Sequence, residues 1–454
     1  MRKIVLLLFA CFFSLLFYKQ SLGINTCLFL PIIIYTIQKG KLSITSYLIA
    51  LVIAGIAVFI NPSISSIFML VLTLMVFIGK THAPDVSIYL AAFGGVVDSI
   101  CGGFETLTKQ ETKNKKNTTQ AKFWLLSAVI IIPVVFIFIV LYKNSNPIFN
   151  DAVNKIDLSF IDVGFVFTIF VAFLFLYNIT KPLLIKELVT IEDNTPTSLL
   201  SPSEEFSVTL LKKLKDEHLQ ASILIATLNV LLICFLLTDI LLFQNNEAMQ
   251  AFKDNVHNSV YTLIISIVFA ITIISIYFRG NINFYKQNNL LKKITYGWLF
   301  LNTLLVLSTL YKNYYYVAHH GLTYKRIGVF VYLTLVLVGL FFTFQKIRLQ
   351  KSFWFILKKS TVIGFYLFAI LSLVPYGKLV TYYNLTHNVV LDVEYLLSLP
   401  KDNAIILWEH KQTIKDKTGN DYYPVLLERT QHYKTKLTKQ NWQSTSLDNI
   451  IYKP

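Results

Sequence analysis

Between Ile294 and Lys346 the chain reads ITYGWLFLNTLLVLSTLYKNYYYVAHHGLTYKRIGVFVYLTLVLVGLFFTFQK. Two apolar runs, 294–311 and 327–344, are each long enough to cross the hydrocarbon core of a bilayer as a helix. Asn302 and a few hydroxyls are the only polar groups in the first, and the second carries Gly328 and Gly339. Tyr311, Tyr314, Tyr315 and Tyr316, with Lys312 among them, form the aromatic cluster expected where a helix meets the headgroups. Between the runs lies Gly321-Leu322-Thr323-Tyr324-Lys325-Arg326. Gly321 suits a turn that needs positive φ, and Thr323 can cap the next helix by accepting a hydrogen bond from its first amides. The stretch therefore predicts a helical hairpin with aromatic anchors.

The same pattern extends along the chain. Of 454 residues, 55% are hydrophobic and 15% charged, and runs of roughly 16 to 24 nearly uncharged residues recur, which excludes a soluble globule. The runs are continuously apolar, whereas a membrane β-barrel needs short alternating segments. The expected fold class is all-α, a polytopic transmembrane helical bundle. The net charge of +16 reads as topological Lys and Arg excess, with no nucleic-acid partner implied.

Spans are expected at 4–18, 21–37, 45–60, 63–79, 124–142, 160–178, 220–243, 259–278, 294–311, 327–344 and, beginning at either Phe353 or Thr361, up to Pro375. Residues 84–101 are weaker, holding Asp85, Asp98 and Gly94-Gly95. If they do not cross there are about eleven spans, otherwise twelve. Eleven spans collect most of the 41 Lys and Arg in one set of loops, which gives an N-terminus inside and a C-terminus outside. The first span could instead be a signal peptide, but a second apolar segment follows at once, so we read it as retained. Residues 1–79 are then N-terminal membrane helices. Residues 80–123 hold the weak segment and a Lys-rich cytoplasmic loop, 124–376 a membrane core, and 377–454 a small extracytoplasmic helical tail. Within that tail Asp392 can cap a short helix carrying Tyr395, Leu396 and Leu399, and 424–439 offers another helix. Ser203 to His218 is patterned as an amphipathic helix leading into the 220–243 span.

In this topology Asp162, Asp239, Lys312 and Arg326 fall in the outer leaflet. An ionisable group costs very roughly 2.5 to 3.5 kcal/mol near a bilayer centre, so these four suggest an outer polar pocket opening between helices. The plainer alternative is a structural ion pair at Asp239 and snorkelling of the cations. Asn229 and Asn302 are mid-span amides suited to interhelical hydrogen bonds. His319-His320 has no third ligand at helical spacing, and Cys11, Cys27, Cys101 and Cys234 lack paired spacing, so no metal site, disulfide framework or cofactor is expected. Standard nucleotide-binding and hydrolase motifs are missing, and no catalytic residue is assigned.

Gly321 to Val329, preceded by Asn302 and the Lys312–Tyr316 cluster, resembles the hallmark of the bacterial DUF4153/DUF4173 membrane family. The segment 141–149, with Asn146-Pro147, is similar to that family's Y-x-x-S-N-P-x-F stretch. Asn384, Asp392 and Tyr395 resemble its closing pattern. Family-motif positions are thus Asn146, Pro147, Asn302, Gly321, Leu322, Thr323, Arg326, Asn384, Asp392 and Tyr395. The resemblance implies a bacterial multi-pass membrane protein without an established activity, which we place in the cytoplasmic membrane. In the eleven-span topology all three stretches fall on the extracytoplasmic side, so the tail is expected to fold over the outer mouth.

Besides the lipid bilayer, partners of two kinds suit this reading: a small molecule, or an envelope protein. A transporter-like or envelope-associated protein suits the spans and the outer pocket, and a sensor or scaffold needs no catalytic set. A membrane transferase acting on lipid-linked substrate ranks lower, because the loop at Lys19-Gln20 lacks paired acids. The topology has a direct check. Single cysteines at Asn146, Gly321 and Asn441 in a Cys-free background should react with an impermeant thiol reagent on intact spheroplasts; labelling of Asn441→Cys only after lysis reverses the C-terminal assignment.

Overall fold

With no water in the bilayer core, backbone N–H and C=O groups must pair within their own segment, and a continuous apolar run does so as a helix. The computed structural model describes residues 3–38, 45–103, 162–183, 185–199, 207–244 and 265–452, with isolated positions 131, 135, 138, 139, 142, 145, 146 and 263. Most of the expected 102–122 loop and 124–142 span, Pro147 and the beginning of the 259–278 span lie outside the described residues. The described chain is helical, without a β-strand; a lone bridge joins Ser198 and Lys351. Five helices are long and apolar enough to cross a membrane: Ile64–His82, Val208–Asp239, Asn289–His320, Tyr324–Arg348 and Phe353–Leu371. Large apolar side chains stand outward on them, with Phe300 and Leu231 more than half exposed, as lipid-facing surfaces require.

The chain forms two compact units. The first comprises residues 1–191, 368–374 and 434–454. It contains α1 (Lys3–Phe17), α2 (Ile24–Ile37), α3 (Ser46–Ile60), α4 (Ile64–His82), α5 (Ile88–Cys101) and α6 (Val163–Asn178). Its core gathers Leu6, Leu16, Phe29, Leu51, Phe77 and Leu176. The weak 84–101 segment becomes α5, whose 14 residues span only about 21 Å. It lies against α4 backbone to backbone: a Cβ on Gly79 would come within 2.0 Å of the Ala91 carbonyl oxygen, and one on Gly95 within 1.9 Å of that of Met75. Small residues thus permit the close approach typical of helices packed in lipid. Asp98, expected to weaken a span, is buried and accepts bonds from His82 Nδ1 (2.9 Å) and the Leu183 N–H (2.8 Å).

The second unit comprises residues 192–367 and 375–433. It includes α8 (Val208–Gln244), α9 (Ile265–Tyr277), α10 (Asn289–His320) and α11 (Tyr324–Arg348), α7 being Ile185–Asp193. The expected amphipathic helix and the span after it are one continuous 37-residue helix, since no Gly or Pro interrupts 208–244. Likewise α10 does not stop at Tyr311. Its 32 residues, roughly 48 Å, carry the tyrosine cluster on the last helical turns and end only at Gly321. Asn229 makes the interhelical bond expected of it, to the Ile294 carbonyl (3.1 Å), whereas Asn302 bonds the Trp298 carbonyl in its own helix (2.8 Å).

Past α12 (Phe353–Leu371) the chain forms α13 (Tyr376–Thr386), α14 (Val393–Ser398), α15 (Ala404–Glu409), α16 (Lys411–Thr418) and α17 (Tyr423–Lys439); α18 (Leu447–Tyr452) belongs to the first unit. Asp392 caps α14 through the Tyr395 N–H (2.9 Å). Val380, Leu385, Leu396, Leu407 and Leu426 share one core with Val317 and Leu322 of the hairpin. Gly321 has φ 80°, and a Cβ there would sit 2.5 Å from Asn384 Oδ1. Two independent penalties therefore oppose a side chain at this position. Gly321→Val should lower the amount of folded protein several-fold, while Leu322→Val, which removes one methylene, should cost about 1 kcal/mol. Equal yields of the two variants in detergent extracts would show that neither the positive φ nor the Asn384 contact matters.

Candidate functional site

The α10–α11 hairpin places two polar features along one helix. The deeper is an ion pair: Lys312 of α10 donates to Asp239 Oδ1 of α8, and Ser308, one turn before Lys312, donates to Asp239 Oδ2 at 2.6 Å. The side chains of Lys312 and Asp239 are 6% and 7% exposed. Spacing explains the arrangement, because residues i and i+4 of α10 share a face and together saturate both carboxylate oxygens of the neighbouring helix.

The other feature is a cavity of about 500 Å³ between the hairpin turn and the segment around α14. Its walls come from two of the family-like stretches: Thr323, Lys325 and Arg326 on one side, Asn384, Asp392 and Tyr395 on the other. Local chemistry fixes these walls. Thr323 caps α11 by accepting from the Arg326 N–H (3.3 Å). Arg326 stacks 4.3 Å from the Tyr316 ring centre and donates Nη1 to the carbonyls of His320 (2.8 Å) and Gly321, closing the C-terminus of α10. Asn384 pairs both ways with Leu322, accepting its N–H (2.6 Å) and donating to its carbonyl (2.9 Å). The Tyr395 hydroxyl accepts from the Tyr324 N–H (3.0 Å). Asn313 of α10 adds a bond to the Arg326 carbonyl (3.1 Å).

Of the four charges expected to form one pocket, Asp239 and Lys312 meet each other. Arg326 is engaged in the hairpin. Asp162 lies in the first unit as the N-cap of α6, exposed, where Tyr18 (2.5 Å) and Lys19 (2.9 Å) donate to it. Lys19 is raised above the ordinary lysine value, first by its bond to Asp162. Lys19 is therefore charged throughout the physiological pH range. Asn302 is buried in α10 away from these contacts, and Asn146 is exposed. His319 and His320 stack on Tyr315 and Tyr316, and no metal-binding group occurs among the described residues. Ser308 and the His82–Asp98 contact escaped the sequence reading. The i−4 spacing from Lys312 could have pointed to Ser308, but nothing local links His82 to Asp98.

Compared with known proteins, residues 4–409 match the family model "Domain of unknown function (DUF4153)". No curated protein and no solved structure matches the chain.

The ion pair makes a quantitative expectation. Removing one member of a buried pair typically costs 3–5 kcal/mol, whereas replacing both with apolar residues is often neutral. Asp239→Leu and Lys312→Met should each lower the thermal midpoint in detergent strongly, and the double variant should recover most of the loss. Additive losses in that cycle would show that the two charges do not interact.

Proposed function

Because the chain belongs to the DUF4153 family, described only as a domain of unknown function, we propose its role from geometry: a membrane-embedded protein of transporter type, with the Asp239–Lys312 pair as its charge element. A bacterial inner membrane, multiple spans, an inside N-terminus and an outside C-terminus complete the reading. The observation that carries it is the burial of both charges in apolar helices, with Ser308 completing the carboxylate's contacts.

Stability alone is a poor reason for such a pair, because desolvating each ion costs several kcal/mol that their attraction only roughly repays. Charges inside membrane helices instead mark ion, proton or substrate paths. A ligand that competes for either charge dissolves the pair and removes the ionic tie between α8 and α10 at this level, while the Asn229–Ile294 bond and the apolar core between the helices remain. The pair is thus an element with two arrangements that a ligand can bias. Arg326 and the cavity at the hairpin form the entrance in this reading, and Asp162 supports the first unit.

Water access separates this role from a sealed structural staple, which would suit a sensor or scaffold. With the four native cysteines replaced, Ser308→Cys should react with a small impermeant methanethiosulfonate on intact spheroplasts, and faster when Asp239→Asn loosens the pair. A thiol at position 308 that stays unreactive in both backgrounds, while Tyr314→Cys labels, overturns the transporter reading.

A further inference from the structure

Two opposite charges line the cavity beside the hairpin without being consumed by the fold. Lys325, the second residue of α11, is exposed and has no hydrogen-bond or ionic partner among the described residues. Asp392 spends Oδ1 on the Tyr395 N–H, and its second oxygen has no described partner. They do not pair with each other, although they border the same space. The walls are fixed by other bonds: the Thr323 cap and the Tyr324 N–H to Tyr395 contact on one side, and the Asp392 cap itself on the other. Tyr395, on the same wall as Asp392, reaches across to Tyr324, the neighbour of Lys325, its oxygen accepting that N–H and its own proton without a described acceptor.

A cation on one wall, a carboxylate on the other, and between them a hydroxyl that reaches from the carboxylate's wall to Tyr324 beside the cation, are matched to a ligand carrying both signs. A simple anion meets Lys325 but is repelled by Asp392, and a simple cation meets the reverse. The volume of about 500 Å³ is that of a small-molecule site. The exposed Tyr311, Tyr314 and Tyr315 on the last turns of α10 put the cavity near the level at which headgroups lie when that helix crosses a bilayer.

We propose that this cavity binds a zwitterion pairing a phosphate or carboxylate with a primary ammonium, its anion held by Lys325 and the Tyr395 hydroxyl and its ammonium by Asp392. That chemistry is shared by the phosphoethanolamine headgroup of a lipid and by free phosphoethanolamine or an amino acid. The inference does not rest on the Asp239–Lys312 pair, and its outcome is independent of labelling at position 308.

The test uses the full chain in phosphatidylcholine nanodiscs, with binding of short-chain phosphatidylethanolamine, short-chain phosphatidylglycerol, free phosphoethanolamine and glycine followed by thermophoresis. Saturable binding of at least one zwitterionic amine, tighter than that of phosphatidylglycerol, is expected. Lys325→Gln and Asp392→Asn should each weaken it about tenfold, the loss of one charge-assisted contact. Asparagine is as good an N-cap as aspartate, so Asp392→Asn should leave the thermal midpoint in place. Binding of the lipid but not of the free compounds identifies a headgroup site, and equal binding of both identifies a site for soluble zwitterions. Absence of saturable binding, phosphatidylglycerol binding as tightly as the amines, or affinities untouched by both variants overturns the proposal.

Discussion

The second unit hangs on one amide. Asn384 reproduces with its side chain the paired donor and acceptor of a neighbouring backbone, holding both the N–H and the carbonyl of Leu322 in a buried setting. A turn between two membrane helices leaves peptide groups that no helix can satisfy, and an unmade buried hydrogen bond costs about 1–3 kcal/mol. Asn384 meets that need and, because it lies on α13, joins the chain after α12 to the hairpin. The absence of a side chain at Gly321 allows the amide to come this close. Leu322 and Val317 can then share a core with Leu385, Leu396 and Leu407, and the cavity between turn and α14 follows from that docking.

Positive charge has a consistent structural use here. Arg326 closes α10 through two carbonyls, and Lys417 closes α13 through the carbonyls of Asn384, Leu385 and His387. The fully buried Lys346 donates to the Phe278 carbonyl just beyond α9, and Arg429 gathers those of Leu397, Leu399 and Pro400. Helix C-termini present unsatisfied carbonyls and the negative end of the helix dipole, so a cation there replaces water where little is available. This accounts for part of the +16 charge without an acidic partner. Lys312 departs from the pattern by meeting a carboxylate between two long helices, which is why the pair stands out as a site and not as another cap.

What was legible in the sequence is what short-range chemistry decides. The positive φ at Gly321, the caps at Thr323 and Asp392 and the helix after Tyr423 each depend on a few neighbouring residues. Helix ends were read too early where apolarity faded without a breaker: Tyr311 ends a hydrophobic run, but nothing before Gly321 stops the backbone. Long-range partners were open in the sequence for a different reason. Either Lys312 or Arg326 could have met Asp239, and the choice was made by side-chain reach and by prior claims. The carbonyls of His320 and Gly321 already hold Arg326, while Lys312 sits one turn from Ser308 on the face toward α8. Asn302 went the same way: a carbonyl within its own helix was available without waiting for a neighbour.

The spacing of polar residues on α10 joins the two features mechanically. Ser308, Lys312, Tyr316 and His320 recur at intervals of four, which places them on one stripe of the helix. Ser308 and Lys312 hold Asp239 at the inner part of that stripe. Tyr316 and His320 carry Arg326, and His320 borders the cavity. Asn313, one residue beyond Lys312, reaches the Arg326 backbone. An α-helix is stiff over three turns, so a rotation or slide of α10 that dissolves the Asp239–Lys312 pair also displaces the stacked guanidinium and the cavity wall. The start of α11 is tied to the same helix, since Arg326 is bonded to α10 at His320, Gly321 and Asn313.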